Sequence, residues 1–316
     1  MLPADILRRV AAQDVLGMKP TDYDLPSSLK LNEAISQAWT RALAHWADFQ
    51  EARAALLEDD ETGTVVTRQQ WVMPLLEILG FGKLRQQRSP EIDGKTYPIQ
   101  FFWQQVPLHL LGCKLPIDRR TRGVTGAAAS SPHSLVQEFL NRSDDHLWAV
   151  LTNGLQWRIL RDNVSLSRQA YVEFDLESMM EGEVYSDFAL LWLVCHVTRF
   201  EAEQLEQCYL EAWSHLAVEE GTRILGGLRQ GVTEAIQQLG EGFIGHPAND
   251  ALRDLLRSGE LDKQELYREI LRIIYRLLFL FVAEDRDLLL APDASHEARD
   301  AYRQYYSTKH LRDLAD

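Results

Sequence analysis

The chain has 316 residues, 33 Lys and Arg against 47 Asp and Glu, a formal net charge of −14 and 46% hydrophobic residues. That length allows two or three domains around a sizeable core, and the composition is that of an ordinary folded protein. So acidic a total argues against a general nucleic-acid coat. The three cysteines, Cys113, Cys195 and Cys208, form no CxxC pair, which excludes a disulfide framework or zinc ribbon and fits a reducing cytoplasm.

Residues 1–60 read as helices. Leu31, Ile35, Trp39, Leu43 and Trp46 recur at helical spacing, with Ser27 or Ser28 as the expected cap. The charged run 58–63 marks a boundary. Next, 67–80 reads as a short helix stopped by Gly80, "SPEIDGKTYPI" as turns, and 99–117 as β-prone but short or at a sheet edge because of Pro107 and Pro116. "DRRTRGVTGAAASSP" is a loop. "SPHSLVQEFLNRS" is a helix begun at Ser131 or Ser134 that buries Leu135, Phe139 and Leu140. In "HLWAVLTNGLQWRILRD", Asn153-Gly154 reads as a tight hairpin turn, and Leu155, Trp157 and Ile159 alternate with Gln156 and Arg158 as in a half-buried strand. Ala170–Leu176 is a further strand. From 179 the pattern is helical, and 263–290 is apolar around most of its circumference, which predicts a central place in a bundle. No basic-then-apolar leader opens the chain. The longest apolar run, Leu277–Ala283, is far short of the roughly 20 residues a membrane span needs, so no membrane partner and a cytoplasmic location are expected.

Charge is unevenly distributed: 6 basic and 10 acidic residues lie in 1–60, 13 and 12 in 61–178, and 14 and 25 in 179–316. Only the middle segment escapes net repulsion from a polyanion. Lys114, Arg119, Arg120 and Arg122 fall within one loop, while Arg142, Arg158, Arg161 and Arg168 flank the helix and hairpin. Arginine's planar fork suits phosphate contacts, so Lys114, Arg119, Arg120, Arg122, Arg158 and Arg161 are the candidate DNA contacts. The competing reading makes them loop charges balanced by Asp118, Asp144, Asp145 and Asp162. A catalytic reading also exists. Metal-dependent nucleases of one large class place an Asp and a Glu-x-Lys on neighbouring strands to hold Mg²⁺ and activate water. Here Asp93 and Lys114 would take those roles, but Gly112 stands where the second carboxylate belongs, which predicts a degenerate site with no bound metal. Scans for HExxH, a phosphate-binding loop and GxSxG are negative.

The stretch 131–194, with "LYREILRIIYRLLFLFVAEDRDLL", resembles the N-terminal region of large type IIG-like restriction–modification adenine-N6 DNA methyltransferases, including DISARM-like phage-defence methylases. The resemblance covers roughly 65–316. It implies an α+β fold: a nuclease-like core of the PD-(D/E)XK type over 61–178, preceded by a helical segment at 1–60 and followed by a helical bundle at 179–316. The glycine and Asn-Pro-Pro-Tyr/Phe motifs of such enzymes are not in this sequence. S-adenosylmethionine is therefore expected only in a downstream domain, with no cofactor here, or Mg²⁺ if the nuclease site is active. The implied role is to position DNA or other defence-system subunits. The alternatives are a Mg²⁺-dependent endonuclease and a protein-binding scaffold.

Overall fold

Ile6 and Val10, one helical turn apart, bury the inner side of the first helix, α1 (Ala4–Ala11). The structure is a computed structural model that describes residues 2–56, 62–162, 170–291 and 293–308. The expected boundary at 58–63 lies largely outside the described residues, and Arg168 lies wholly outside them. The chain divides into two compact units, Met1–Glu219 and Glu220–Asp316.

The tryptophan stripe forms α2 (Leu31–Ala54), whose buried side also includes Ala34, Ala38 and Ala42. Its start is fixed not by Ser27 or Ser28 but by Glu33, whose carboxylate accepts from the Lys30 backbone N–H at 3.4 Å. A second helical run comprises α3 (Thr64–Val66), a π-helical stretch (Thr67–Val72) and α4 (Met73–Ile78), and it ends before Gly80 at φ +85°. Pro74 lacks an N–H for the i−4 carbonyl, and the widened turn just ahead of it takes up that defect. The same stretch is held by one local and two long-range bonds: the Thr67 hydroxyl donates to Gly63 O (2.8 Å) and accepts from Cys113 N (2.9 Å), and Trp71 Nε1 donates to Gly154 O (2.8 Å).

The turn-rich stretch closes a small hairpin, β1 (Glu91–Ile92) and β2 (Lys95–Thr96), with Asp93 and Gly94 both at positive φ. A five-stranded mixed sheet follows, in the order β3 (Phe101–Trp103), β4 (Val106–Leu110), β5 (Trp148–Thr152), β6 (Gln156–Arg161), β7 (Tyr171–Asp175). All pairs are antiparallel except β4 and β5, which α5 (Pro132–Arg142) connects in parallel. Ser131 caps α5, accepting from Ser134 N at 3.2 Å.

Three expectations for the sheet change. β3 and β4 are short, as the prolines predict, but β4 is interior rather than at an edge. Pro107 is tolerated there because the parallel ladder with β5 begins one residue later, at Leu108. β6 is buried on both faces, Arg158 included, because helices cover the sheet on both sides. One face packs on Leu135, Val136, Phe139 and Leu140 of α5. The other packs on Trp46, Phe49, Trp71 and Leu75 from the N-terminal helices, so α2 shares the sheet's core. The hairpin turn is centred on Gly154-Leu155. Gly154 has φ +81°, while Asn153 sits outside the turn and its Oδ1 accepts from Leu155 N and Gln156 N at 3.0 and 2.8 Å.

α6 (Leu176–Glu181) and α7 (Tyr185–Cys195) complete this core, along with the start of α8 (Tyr209–Gly245). Arg199, fully buried, donates to Gly17 O at 2.7 Å and also to Asp22 O. It lies over the rings of Tyr23 and Tyr209 at 3.8 and 4.2 Å, tying the loop after α1 to the segment before α8.

The second unit contains the rest of α8, α9 (Asp250–Ser258), α10 (Lys263–Asp285) and α11 (His296–Tyr305). α10 does not sit centrally in a bundle. Only Ile270, Ile274 and Ala283 are buried, and Phe279 is 70% exposed. Among the described residues, no helix is long and apolar enough to cross a membrane.

Candidate nucleic-acid interface

Arg158 and Arg161 stand on β6, and both are held by carboxylates. The Arg158 side chain is 2% exposed. Its Nη1 and Nη2 donate to the two carboxylate oxygens of Asp118 at 2.6 and 2.7 Å, and its Nε donates to Glu173 on β7. The guanidinium also lies 4.3 Å over the Tyr171 ring and faces His133 Nδ1 at 3.3 Å. Burial opposes its charge, but the two carboxylates outweigh this and raise its pKa. In return the Arg158 hydrogen bonds hold Asp118 below the usual carboxylate range. His133 is pushed down by burial and by the neighbouring guanidinium, so it is neutral at pH 7 and accepts at Nδ1. Among the described residues its Nε2 has no hydrogen-bond partner.

Arg161 donates from Nε and Nη2 to Glu211 at 2.9 and 2.6 Å, and Trp148 Nε1 adds a third donor to that carboxylate at 3.2 Å. Glu211 is 2% exposed. Burial pushes its pKa up, yet Arg161 outweighs that and leaves it below normal. A phosphate could reach Arg158 only by displacing a carboxylate from it. Both hairpin arginines therefore brace the sheet in this structure, and the balancing role of Asp118 holds for Arg158.

The loop arginines differ. Arg119, Arg120 and Arg122 are exposed, and among the described residues none forms an ion pair. Their loop is folded on itself by Thr121 N to Ala127 O (2.8 Å) and Ala127 N to Val124 O (3.0 Å). Next to Arg119, Asp118 is already committed to Arg158. Lys114 is exposed, with its backbone N–H on Thr62 O at 3.3 Å.

The nuclease residues are not brought together on the sheet. Asp93 occupies the turn of the β1–β2 hairpin, 77% exposed and 3.9 Å from Arg142, whereas Lys114 follows β4. Position 112 cannot supply the second carboxylate. A Cβ built on Gly112 would lie 1.9 Å from Thr62 O and 2.7 Å from Thr64 N, so any side chain requires the segment 62–64 to move. Among the described residues, no group of three or more His, Cys, Asp or Glu side chains converges as metal ligands would. The three cysteines are buried free thiols.

Sequence reading missed two features. Glu211 looked like one more acid on a helix, and only the fold puts it beneath the sheet. Arg68, on the π-helical stretch, lies in no basic cluster of the sequence, yet it is half-buried and lines a cavity with His109.

Fold and site together define a mixed α+β protein whose unpaired arginines sit on the loop after an interior strand. No known protein family, curated protein or solved structure matches the chain.

Proposed function

We propose that this chain is the DNA-positioning module of a restriction–modification or phage-defence methyltransferase, acting without methyl transfer of its own. The observation that carries this reading is the loop of Arg119, Arg120 and Arg122. It presents exposed guanidinium groups with no carboxylate bound to them among the described residues, in the one segment of the sequence that is not net acidic. Backbone phosphates are the natural partners of such groups, and contacts of that kind fix register rather than sequence. In this reading Arg158 and Arg161 stiffen the sheet that carries the loop, and Lys114 lies at the loop's start. The core is of the nuclease-like PD-(D/E)XK kind. An antiparallel strand pair, a helix and a strand parallel to the second support that assignment.

Magnesium-dependent cleavage is the weaker reading. It would need the second carboxylate at position 112, and the backbone of 62–64 fills that space. DNA binding without cleavage is the expected result. The test is a mobility shift of a short duplex at low salt with the wild type and the Arg119→Ala/Arg120→Ala/Arg122→Ala variant, with a parallel plasmid incubation in Mg²⁺. Unchanged binding by the variant would reject the proposal, and nicking abolished by Asp93→Ala would restore the nuclease.

A protein-scaffold reading has one observation in its favour. In the second unit α8 and α10 leave Ile224, Leu228, Tyr275, Phe279 and Val282 at least half exposed, apolar surface of the kind that other proteins cover. Capture of a methyltransferase subunit by this chain, lost in a Phe279→Glu variant while DNA affinity was absent, would favour it.

A further inference from the structure

Arg68 differs from the paired arginines in what surrounds it. A guanidinium has five N–H donors. Here Nε and one N–H of Nη2 go to the Leu110 carbonyl, the first at 3.2 Å. The other N–H groups have no acceptor among the described residues. Among the described residues no acidic side chain offsets the burial of this charge, and burial lowers its pKa. An unbalanced, half-buried cation with spare donors is costly in a folded protein unless water or an anion meets it.

The space it faces is a cavity of about 240 Å³ lined by Thr64, Arg68, Gln100, His109 and Thr125, among others, with no Asp or Glu among the described residues of its wall. A water molecule occupies about 30 Å³ of liquid, so the cavity takes several waters or one hydrated oxyanion. Two of the polar lining groups can serve an anion. The Thr125 hydroxyl and the Gln100 amide Nε2 are donors, whereas the Thr64 hydroxyl already donates to Thr62 Oγ1 at 2.9 Å. His109 Nε2 donates to Gly126 O at 3.1 Å, and burial pushes the ring's pKa down to about 4, so at pH 7 it is neutral and shapes the wall without adding charge. The floor is fixed by Phe101, whose ring lies 5.2 Å from the guanidinium, and by the bond to Leu110. Arg68 is thus held in place from one side with its remaining edge open to the cavity, the fork geometry that binds a tetrahedral oxyanion.

We infer that this cavity is a binding site for phosphate or a phosphomonoester, with Arg68 as its charged anchor and Gln100 and Thr125 as neutral donors. The site does not depend on the DNA reading, because free phosphate is enough to occupy it. A 5′-phosphorylated strand end carries the same group, and Val124 and Thr125 of the lining are close in sequence to the loop arginines.

The test uses the full chain and inorganic phosphate, followed by ³¹P line broadening and calorimetry near pH 7 with chloride as the control. Saturable binding is expected, weakened at least tenfold by Arg68→Met and severalfold by Gln100→Leu, which leaves the Leu110 bond intact. Arg68→Lys should keep part of the affinity, since charge survives and the fork does not. Absence of saturable binding in the wild type overturns the inference, as does equal affinity in a folded Arg68→Met. If Arg68→Met fails to fold, undiminished affinity in Gln100→Leu overturns it instead. Preference for a 5′-phosphorylated over a 5′-hydroxyl oligonucleotide, lost in Arg68→Met, assigns the oxyanion to a strand end. Equal binding of the two, with phosphate still bound, assigns it to the free ion.

Discussion

Replacing Arg158 with Met tests whether the hairpin arginines brace the sheet. The substitution fills the stem's volume and removes the guanidinium from a site that is 2% exposed. Lost with it are the paired bonds to Asp118, the bond to Glu173 and the contact with Tyr171. Breaking one side of a buried ion pair costs about 3–5 kcal/mol. Asp118 and Glu173 are 54% and 31% exposed, however, so water can reclaim both carboxylates once the cation is gone. His133 Nδ1 loses the group it faces and cannot be rehydrated as easily. The lower end applies, about 3 kcal/mol, which for a unit of this size lowers Tm by roughly 6–12 °C. Urea and thermal unfolding of the full chain, followed by circular dichroism, measure this. Arg158→Met/Asp118→Asn should lose less than the sum of the single changes, since both remove the same pair. Stability of Arg158→Met within about 1 kcal/mol of wild type, combined with a large loss of DNA affinity, would refute the bracing role and return Arg158 to the interface.

Two further outcomes follow from the same core. His109 has a folded pKa of about 4 against an ordinary 6.5, so between those values the unfolded chain binds more protons. Its contribution is complete above pH 6.5 and is lost as pH falls toward 4, on the order of 3 kcal/mol, and His196, pushed by burial to about 3, acts in the same sense. His109→Gln should flatten the acid limb of a stability-versus-pH curve, and an unchanged limb would contradict the assignment. Gly154→Ala should destabilise by about 2–4 kcal/mol. The residue sits at φ +81° and an added Cβ would lie 2.5 Å from Thr67 Cγ2, so a near-neutral result in denaturant titration would disprove the packing of the hairpin turn on the π-helical stretch.

Much of the fold was legible from periodicity. The stripe Leu31–Trp46, the Ser131 cap, the stop at Gly80 and the strand at 170–176 all reappear as elements of the structure. Failures came where tertiary context overrides local pattern. Alternation in 155–159 signals a strand with one wet face, but α5 covers the face that the polar residues occupy, and Arg158 survives there only because Asp118, forty positions away, meets it. Pro107 argues for an edge until the register shows which ladder it escapes. In α10 the apolar positions were visible, while what they pack against was not. The site was less legible still. A basic cluster shows in the sequence, but which of its members are already paired depends on carboxylates such as Glu211 brought from another element. Arg68 lacked any local signal, because its setting, with no acidic neighbour among the described residues, arises only on folding.

The most direct measurement is the salt dependence of duplex binding by fluorescence anisotropy, comparing wild type with the Arg119, Arg120 and Arg122 alanine variant. Each neutralised phosphate contributes about 0.9 to the slope of log K against log salt concentration. Three backbone contacts therefore predict a slope shallower by roughly 2.7 in the variant and unchanged in a folded Arg158→Met. Identical slopes for wild type and the loop variant would contradict the account.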